Sequence, residues 1–124
     1  MTEIEGLRIL LVEDEQLVAM LVEDMLGDLG CHMIQCASGL EEAIDIARSG
    51  EFDFAMLDMN LNGDPVFPVA EILLERGIPF AFASGYGAGG LPEKMRDRQV
   101  ITKPFKLDDV SAVIASNFGG PATA

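Results

Sequence analysis

Apolar runs alternate with apolar stripes along this chain, and the alternation predicts its elements. Leu7-Arg8-Ile9-Leu10-Leu11-Val12 is a short, nearly continuous apolar run that predicts a buried strand, stopped by Glu13-Asp14-Glu15. Leu17, Val18, Leu21, Val22, Met25, Leu26 and Leu29 then recur at helical spacing, and Gly30 stands where a helix C-terminal glycine belongs. Cys31 to Cys36 predicts a second strand. Ser38 is placed to cap the next helix, with Glu41 three residues on completing a capping box. Leu40, Ala43, Ile44 and Ala47 give that helix its stripe, which ends at Ser49-Gly50. Phe52 to Leu57 is the third strand, and the turn-forming residues from Asn60 to Pro65 predict a loop. Val66, Val69, Ala70, Leu73 and Leu74 predict a third helix closed by Gly77. Ile78 to Ala83 is a fourth strand, with Pro79 tolerated near its start. Gly85, Gly87, Gly89 and Gly90 argue against a well-formed start to the fourth helix, which is expected to be short or mobile within Pro92 to Arg98. Gln99 to Thr102 is the fifth strand. Val110, Val113, Ile114 and Phe118 mark the last helix.

Strand and helix thus alternate five times, which predicts an α/β fold: a parallel sheet with helices on both faces. Right-handed crossovers restrict the topology, and the common five-stranded solution is the doubly wound, flavodoxin-like order 2-1-3-4-5. Residues 1–120 are expected to form one domain and residues 121–124 a frayed tail.

Composition narrows the partners. Hydrophobic residues make up 49% of the 124, enough for a core, but 21 acidic residues face 8 basic ones for a formal charge of -13. Such a surface argues against direct binding to nucleic acid or an anionic membrane, both of which are gripped by Lys and Arg. No stretch approaches the ~20 apolar residues of a membrane span. Glu3 and Glu5 contradict the basic start of a signal peptide, so a cytoplasmic location is expected. Cys31 and Cys36, five apart on a predicted strand, would face opposite ways, which disfavours a disulfide.

The polar residues at the strand ends carry the chemistry. Ligands of doubly wound sheets bind beyond the carboxyl ends of the strands. Glu13 and Asp14 follow the first strand, Asp58 the third, Ser84 the fourth and Lys103 the fifth, and these four strands are neighbours in the expected order. Each residue alone has an ordinary reading. Asp58 could be a turn residue, Lys103 a solvated lysine, and Glu13-Asp14-Glu15 an acidic helix start favoured by the dipole. Together they suit a metal-assisted phosphoryl-accepting site. Three carboxylates would repel one another unless a hard cation such as Mg2+ offsets them. Lys103 and the Ser84 hydroxyl can take phosphoryl oxygens, and a carboxylate can form an aspartyl-phosphate.

This set resembles the receiver domain of two-component response regulators, along the whole chain. The resemblance rests on Glu13-Asp14, Asp58, Ser84 and Lys103-Pro104 in order on matching elements. It implies that Asp58 is the phosphorylation site, loaded by a histidine kinase or a phosphotransfer protein. It also implies that Glu13, Asp14, Asp58 and the backbone carbonyl of Asn60 hold Mg2+, and that the Lys103-Pro104 bond is cis. The protein would be a switch and not a turnover enzyme, a monomer or weak dimer. Pro79-Phe80-Ala81-Phe82-Ala83-Ser84-Gly85-Tyr86 is similar to the subfamily with a Phe-Ala-Thr-Gly-Tyr signature, often served by kinases of the HWE or HisKA2 type. In keeping with that subfamily, Val100 occupies the place of the usual strand-five aromatic, and Tyr86 with the following glycines is the expected switch. The Asn60 side chain and Tyr86 are expected to tune phosphoryl lifetime, with output through the fourth helix and fifth strand. The acidic first helix is either a solvated face or a kinase-docking face. The Met1 start and short tail favour a stand-alone receiver over a fragment of a larger regulator or hybrid kinase. An aspartyl-nucleophile magnesium phosphatase of the haloacid dehalogenase type would need an acid where Asn60 stands. A flavodoxin-like nucleotide binder would not place Glu13-Asp14-Glu15 at its phosphate loop.

Overall fold

A computed structural model of the chain describes residues 5–84, 99–102 and 106–117. Its elements are β1 (Arg8–Val12), α1 (Gln16–Asp28), β2 (Met33–Ala37), α2 (Leu40–Ser49), β3 (Phe54–Asp58), β4 (Asn60–Leu61), β5 (Asp64–Pro65), α3 (Phe67–Arg76), β6 (Phe80–Ser84), β7 (Gln99–Thr102) and α4 (Leu107–Ala115). Five strands form a sheet of order β2-β1-β3-β6-β7, every pair parallel. Counting only these five, the order is the expected 2-1-3-4-5. The expected fourth helix falls within residues 85–98, outside the described residues.

The sheet is buried on both faces, which is why its strands read as unbroken apolar runs. Alternate residues serve opposite layers. Leu10, Val12, Ala55, Leu57, Phe80 and Phe82 pack with Ala43 and Ala47 of α2 and Val69, Ala70 and Leu73 of α3. Ile9, Leu11, Phe54, Met56, Ala81 and Ala83 pack with Val22 and Leu26 of α1 and Val110 and Ile114 of α4. Phe82 also meets Phe67 and Phe80 in T-shaped contacts, with ring centroids 5.8 and 5.5 Å away, and so pins the start of α3 to the sheet. Val100 is half-buried against the α2–α3 layer and pairs in register with Phe82.

Several local expectations shift; the third and fourth strands start at Phe54 and Phe80, two residues after the expected Phe52 and Ile78. The second strand starts at Met33 and not at Cys31, because Cys31 still belongs to the end of α1: its N–H donates to Leu26 O at 3.1 Å. Residue 38 is not the cap of α2. Gly39 holds that place, and the Ser38 amide donates to Glu42 at 3.2 Å, so the reciprocal bond comes from Glu42 instead of Glu41. The loop Asn60 to Pro65 is a two-stranded hairpin, β4 against β5, with Asn62 at φ +53° and Gly63 at φ +94°. Two left-handed residues in succession are what a tight two-residue hairpin turn demands, and Asn-Gly supplies them at least cost. Gly30 and Gly77 close α1 and α3 with positive φ, as their positions predict. Among the described residues, no helix is long and apolar enough to cross a membrane.

Candidate functional site

The carboxyl ends of β1, β3 and β6 bring the predicted residues together. Glu13 follows β1 directly and is buried, its N–H tied to Ala37 O at 3.0 Å. Asp58 is the last residue of β3 and Ser84 the last of β6; both are buried. Ladder pairing sets their relation: Asp58 is in register with Ala83, so Ser84 lies one step further along the neighbouring strand. Ser84 is in turn in register with Thr102, the residue before Lys103. Lys103, Pro104 and Tyr86 themselves lie outside the described residues.

Carboxylate oxygens of Glu13, Asp14 and Asp58 all lie within 4.8 Å of one another. At about 4 Å, two like charges repel by roughly 4 kcal/mol where the effective dielectric is about 20, so this trio favours a bound cation. Its donors are all hard oxygens, and a shared focus of this kind fits Mg2+, which takes one or two carboxylates with waters and phosphoryl oxygens. The backbone around it is also committed. Glu15 N–H donates to Glu13 Oε1 at 3.2 Å, Asn60 N–H to Asp58 Oδ1 at 3.4 Å, and Asn62 N–H to Asp14 Oδ2 at 2.9 Å. Partial burial pushes the Asp14 carboxyl up, but the Asn62 amide and further hydrogen bonds outweigh it and hold the group below the usual carboxylate range.

The hairpin decides what Asn60 can offer. Asn60 pairs with Pro65 at the non-hydrogen-bonded step between Met59–Val66 and the turn, so its backbone groups point away from β5. In an extended residue the N–H and C=O leave the chain on the same side, and the Asn60 N–H is directed at Asp58. The Asn60 side chain is used elsewhere: its Oδ1 accepts the Gly63 N–H at 2.7 Å.

A cleft of about 550 Å³ opens beside the trio, lined by Glu13, Asp14, Met20, Cys36, Ser38 and Glu42 among others. The Cys36 thiol donates to the Glu23 carboxylate across it. Desolvation, then this bond and the charges of Glu23 and Glu42, push the thiol up to about 12. Sequence reasoning missed Asn62, whose backbone, not its side chain, reaches the site. The Asn-Gly pair was the available signal, since it marks a hairpin turn.

The family model for the response regulator receiver domain matches residues 9–115, and the chain belongs to that family, whose members are signalling switches that meet kinases or phosphotransfer proteins and bind Mg2+ at an acidic site. Among solved structures, the chain is similar to SdrG from Sphingomonas melonis Fr1, at 38% identity and a TM-score of 0.78, covering 94% of this chain and 98% of that one. The response regulator PhyR from Brucella abortus matches at 29% identity and a TM-score of 0.76, over 94% of this chain and 50% of that one. Among curated proteins, the transcriptional regulatory protein PdtaR of Mycobacterium tuberculosis is 27% identical over 111 residues, 86% of this chain and 54% of that protein. The chain therefore spans about half the length of that curated relative.

Proposed function

We propose that this chain is a phosphoacceptor switch whose Asp58 receives a phosphoryl group from a histidine kinase or phosphotransfer protein in a magnesium-dependent reaction. The observation that carries the reading is the convergence of Glu13, Asp14 and Asp58 at the carboxyl edge of the sheet. Glu13, Asp14 and Asp58, with the Asn60 carbonyl, would hold Mg2+, which when bound offsets charge on the phosphoryl oxygens. An Asp58 oxygen attacks phosphorus, the P–N bond of the donor phosphohistidine breaks, and the electron pair leaves with the imidazole. Lys103 takes a phosphoryl oxygen as a point charge, and the Ser84 hydroxyl donates to another. Hydrolysis of the same acyl phosphate resets the switch, so the chain turns over no other substrate.

The subfamily resemblance at residues 79–86 extends this reading. It favours a kinase of the HWE or HisKA2 type and a switch through Tyr86, since Val100 carries no ring to rotate. On α1, Leu17, Met20 and Leu21 are exposed at i, i+3 and i+4 spacing, and Met20 lines the cleft beside the trio. That apolar surface supports α1 as the docking face for the phosphodonor. A groove of about 300 Å³ between β7 and α4, lined by Val100, Ile101, Asp109, Ala112 and Val113, supports output by protein contact near the fifth strand of the sheet.

Incubation with acetyl phosphate and magnesium, read by intact mass, tests the core of the reading. Wild type should gain one phosphoryl group and Asp58→Asn none. An unmodified wild type, or equal modification of Asp58→Asn, would overturn it.

A further inference from the structure

The β4–β5 hairpin is built to aim one backbone amide. Its two-residue turn holds Asn62 and Gly63 at φ +53° and +94°. Leu61, just before the turn, is fully buried and anchors the hairpin in the α2–α3 layer. Gly63 N–H is held by the Asn60 side chain at 2.7 Å, and Val66 N–H closes the base of the hairpin on Met59 O at 3.1 Å. With both ends and the turn braced in this way, the Asn62 amide meets Asp14 Oδ2 at 2.9 Å, across 48 residues of chain.

We infer that Asn62 is a positioning residue: the left-handed turn holds its amide against Asp14, orients that carboxylate toward Glu13 and Asp58, and so sets how tightly the trio holds a divalent cation. The inference rests on the magnesium reading above. Asp14 is only partly buried, so packing does little to immobilise it, and of the hydrogen bonds it receives the Asn62 amide is the largest; a carboxylate without that bond would have more order to gain when the cation arrives. Ordering it beforehand removes that cost from binding. A carboxylate offers about four lone-pair sites, so one amide bond leaves it able to ligate. The contribution comes from the backbone, and what matters at position 62 is therefore tolerance of positive φ, not the amide side chain.

That distinction makes the test. Asn62→Gly keeps the left-handed conformation, whereas Asn62→Val opposes it, because a β-branched residue is a true outlier at positive φ. Gly63→Ala is the milder second variant: a Cβ there meets nothing within 4 Å, so any effect comes from the backbone alone. Magnesium affinity is measured by calorimetry on each chain. In magnesium-free protein, hydrogen exchange of the Asn62 amide is compared between wild type and Asp14→Ala. Asn62→Gly should bind like wild type, Asn62→Val about tenfold more weakly, the scale of losing an orienting partner, and Gly63→Ala in between. The Asn62 amide should lose protection in Asp14→Ala. Wild-type affinity in both Asn62→Val and Gly63→Ala, or an amide indifferent to Asp14, overturns the inference. A wild type that binds no magnesium overturns the magnesium reading instead, and the metal-free exchange then decides the Asn62–Asp14 tie by itself.

Discussion

Arg8 and Asp53 hold each other at the amino end of the sheet, opposite the acidic trio. Arg8 Nε donates to Asp53 Oδ2 at 3.2 Å and its terminal nitrogen to Oδ1 at 3.1 Å. The backbones reciprocate: Arg8 N–H reaches Asp53 Oδ2 at 2.9 Å, and Asp53 N–H reaches Arg8 O at 2.7 Å. A two-pronged grip of this sort fixes β1 against the start of β3, the two strands that deliver Glu13 and Asp58. The Arg8 hydrogen bond, against some desolvation, holds the Asp53 carboxyl below its ordinary range. The folded value therefore lies below the unfolded one, so the pair stabilises the fold above the unfolded pKa. That contribution is lost as pH falls through the folded pKa. Asp53→Asn should be measurably less stable than wild type at pH 7 and converge with it in strong acid. Urea denaturation at several pH values checks this.

Magnesium should stabilise the native chain through the trio. A ligand at about 100 times its Kd adds roughly 2.7 kcal/mol if it binds only the folded state. Thermal melts with and without magnesium should show this rise in wild type. Glu13→Gln and Asp14→Asn should blunt it, with affinity falling about 10-fold or more. A rise of equal size in these variants would remove the trio as the site.

Cys36 should be a poor nucleophile despite its exposure. With its thiol pushed up to about 12, its thiolate is scarce near neutral pH, and thiolate is the reactive form. Glu23→Gln removes a charge that opposes ionisation, so alkylation of Cys36 should speed up several-fold at pH 8. Cys31 is raised to about 11 by desolvation alone and should alkylate at an unchanged rate. Peptide mass spectrometry of iodoacetamide-treated protein separates the two thiols.

The sheet order was legible because each buried strand is a short apolar run, such as Ile9-Leu10-Leu11-Val12, with polar residues at its mouth. Burial on both faces forces that pattern, and crossover handedness leaves few orders to choose from. Glu13, Asp14, Asp58 and Ser84 were legible for the same reason, since a charge or hydroxyl at the end of such a strand stands out. The start of β2 and the cap of α2 were misread by one or two residues, because Cys31 and Ser38 have local chemistry suited to either side of the boundary. Tertiary hydrogen bonds to Leu26 and Glu42 chose between them.

From its sequence alone, then, the chain determined which strands are buried, that helices cover both faces of their sheet and which carboxylates crowd the sheet's edge. These follow from periodicity and from the cost of burying charge, both local properties of the chain. Only the tertiary structure decided that Asn62, 48 residues from Asp14, lends it an amide, and that Asn60 turns its side chain to the hairpin while its backbone faces Asp58. Backbone amides look alike at every position of a sequence. Their direction exists only once a turn and a register have been set.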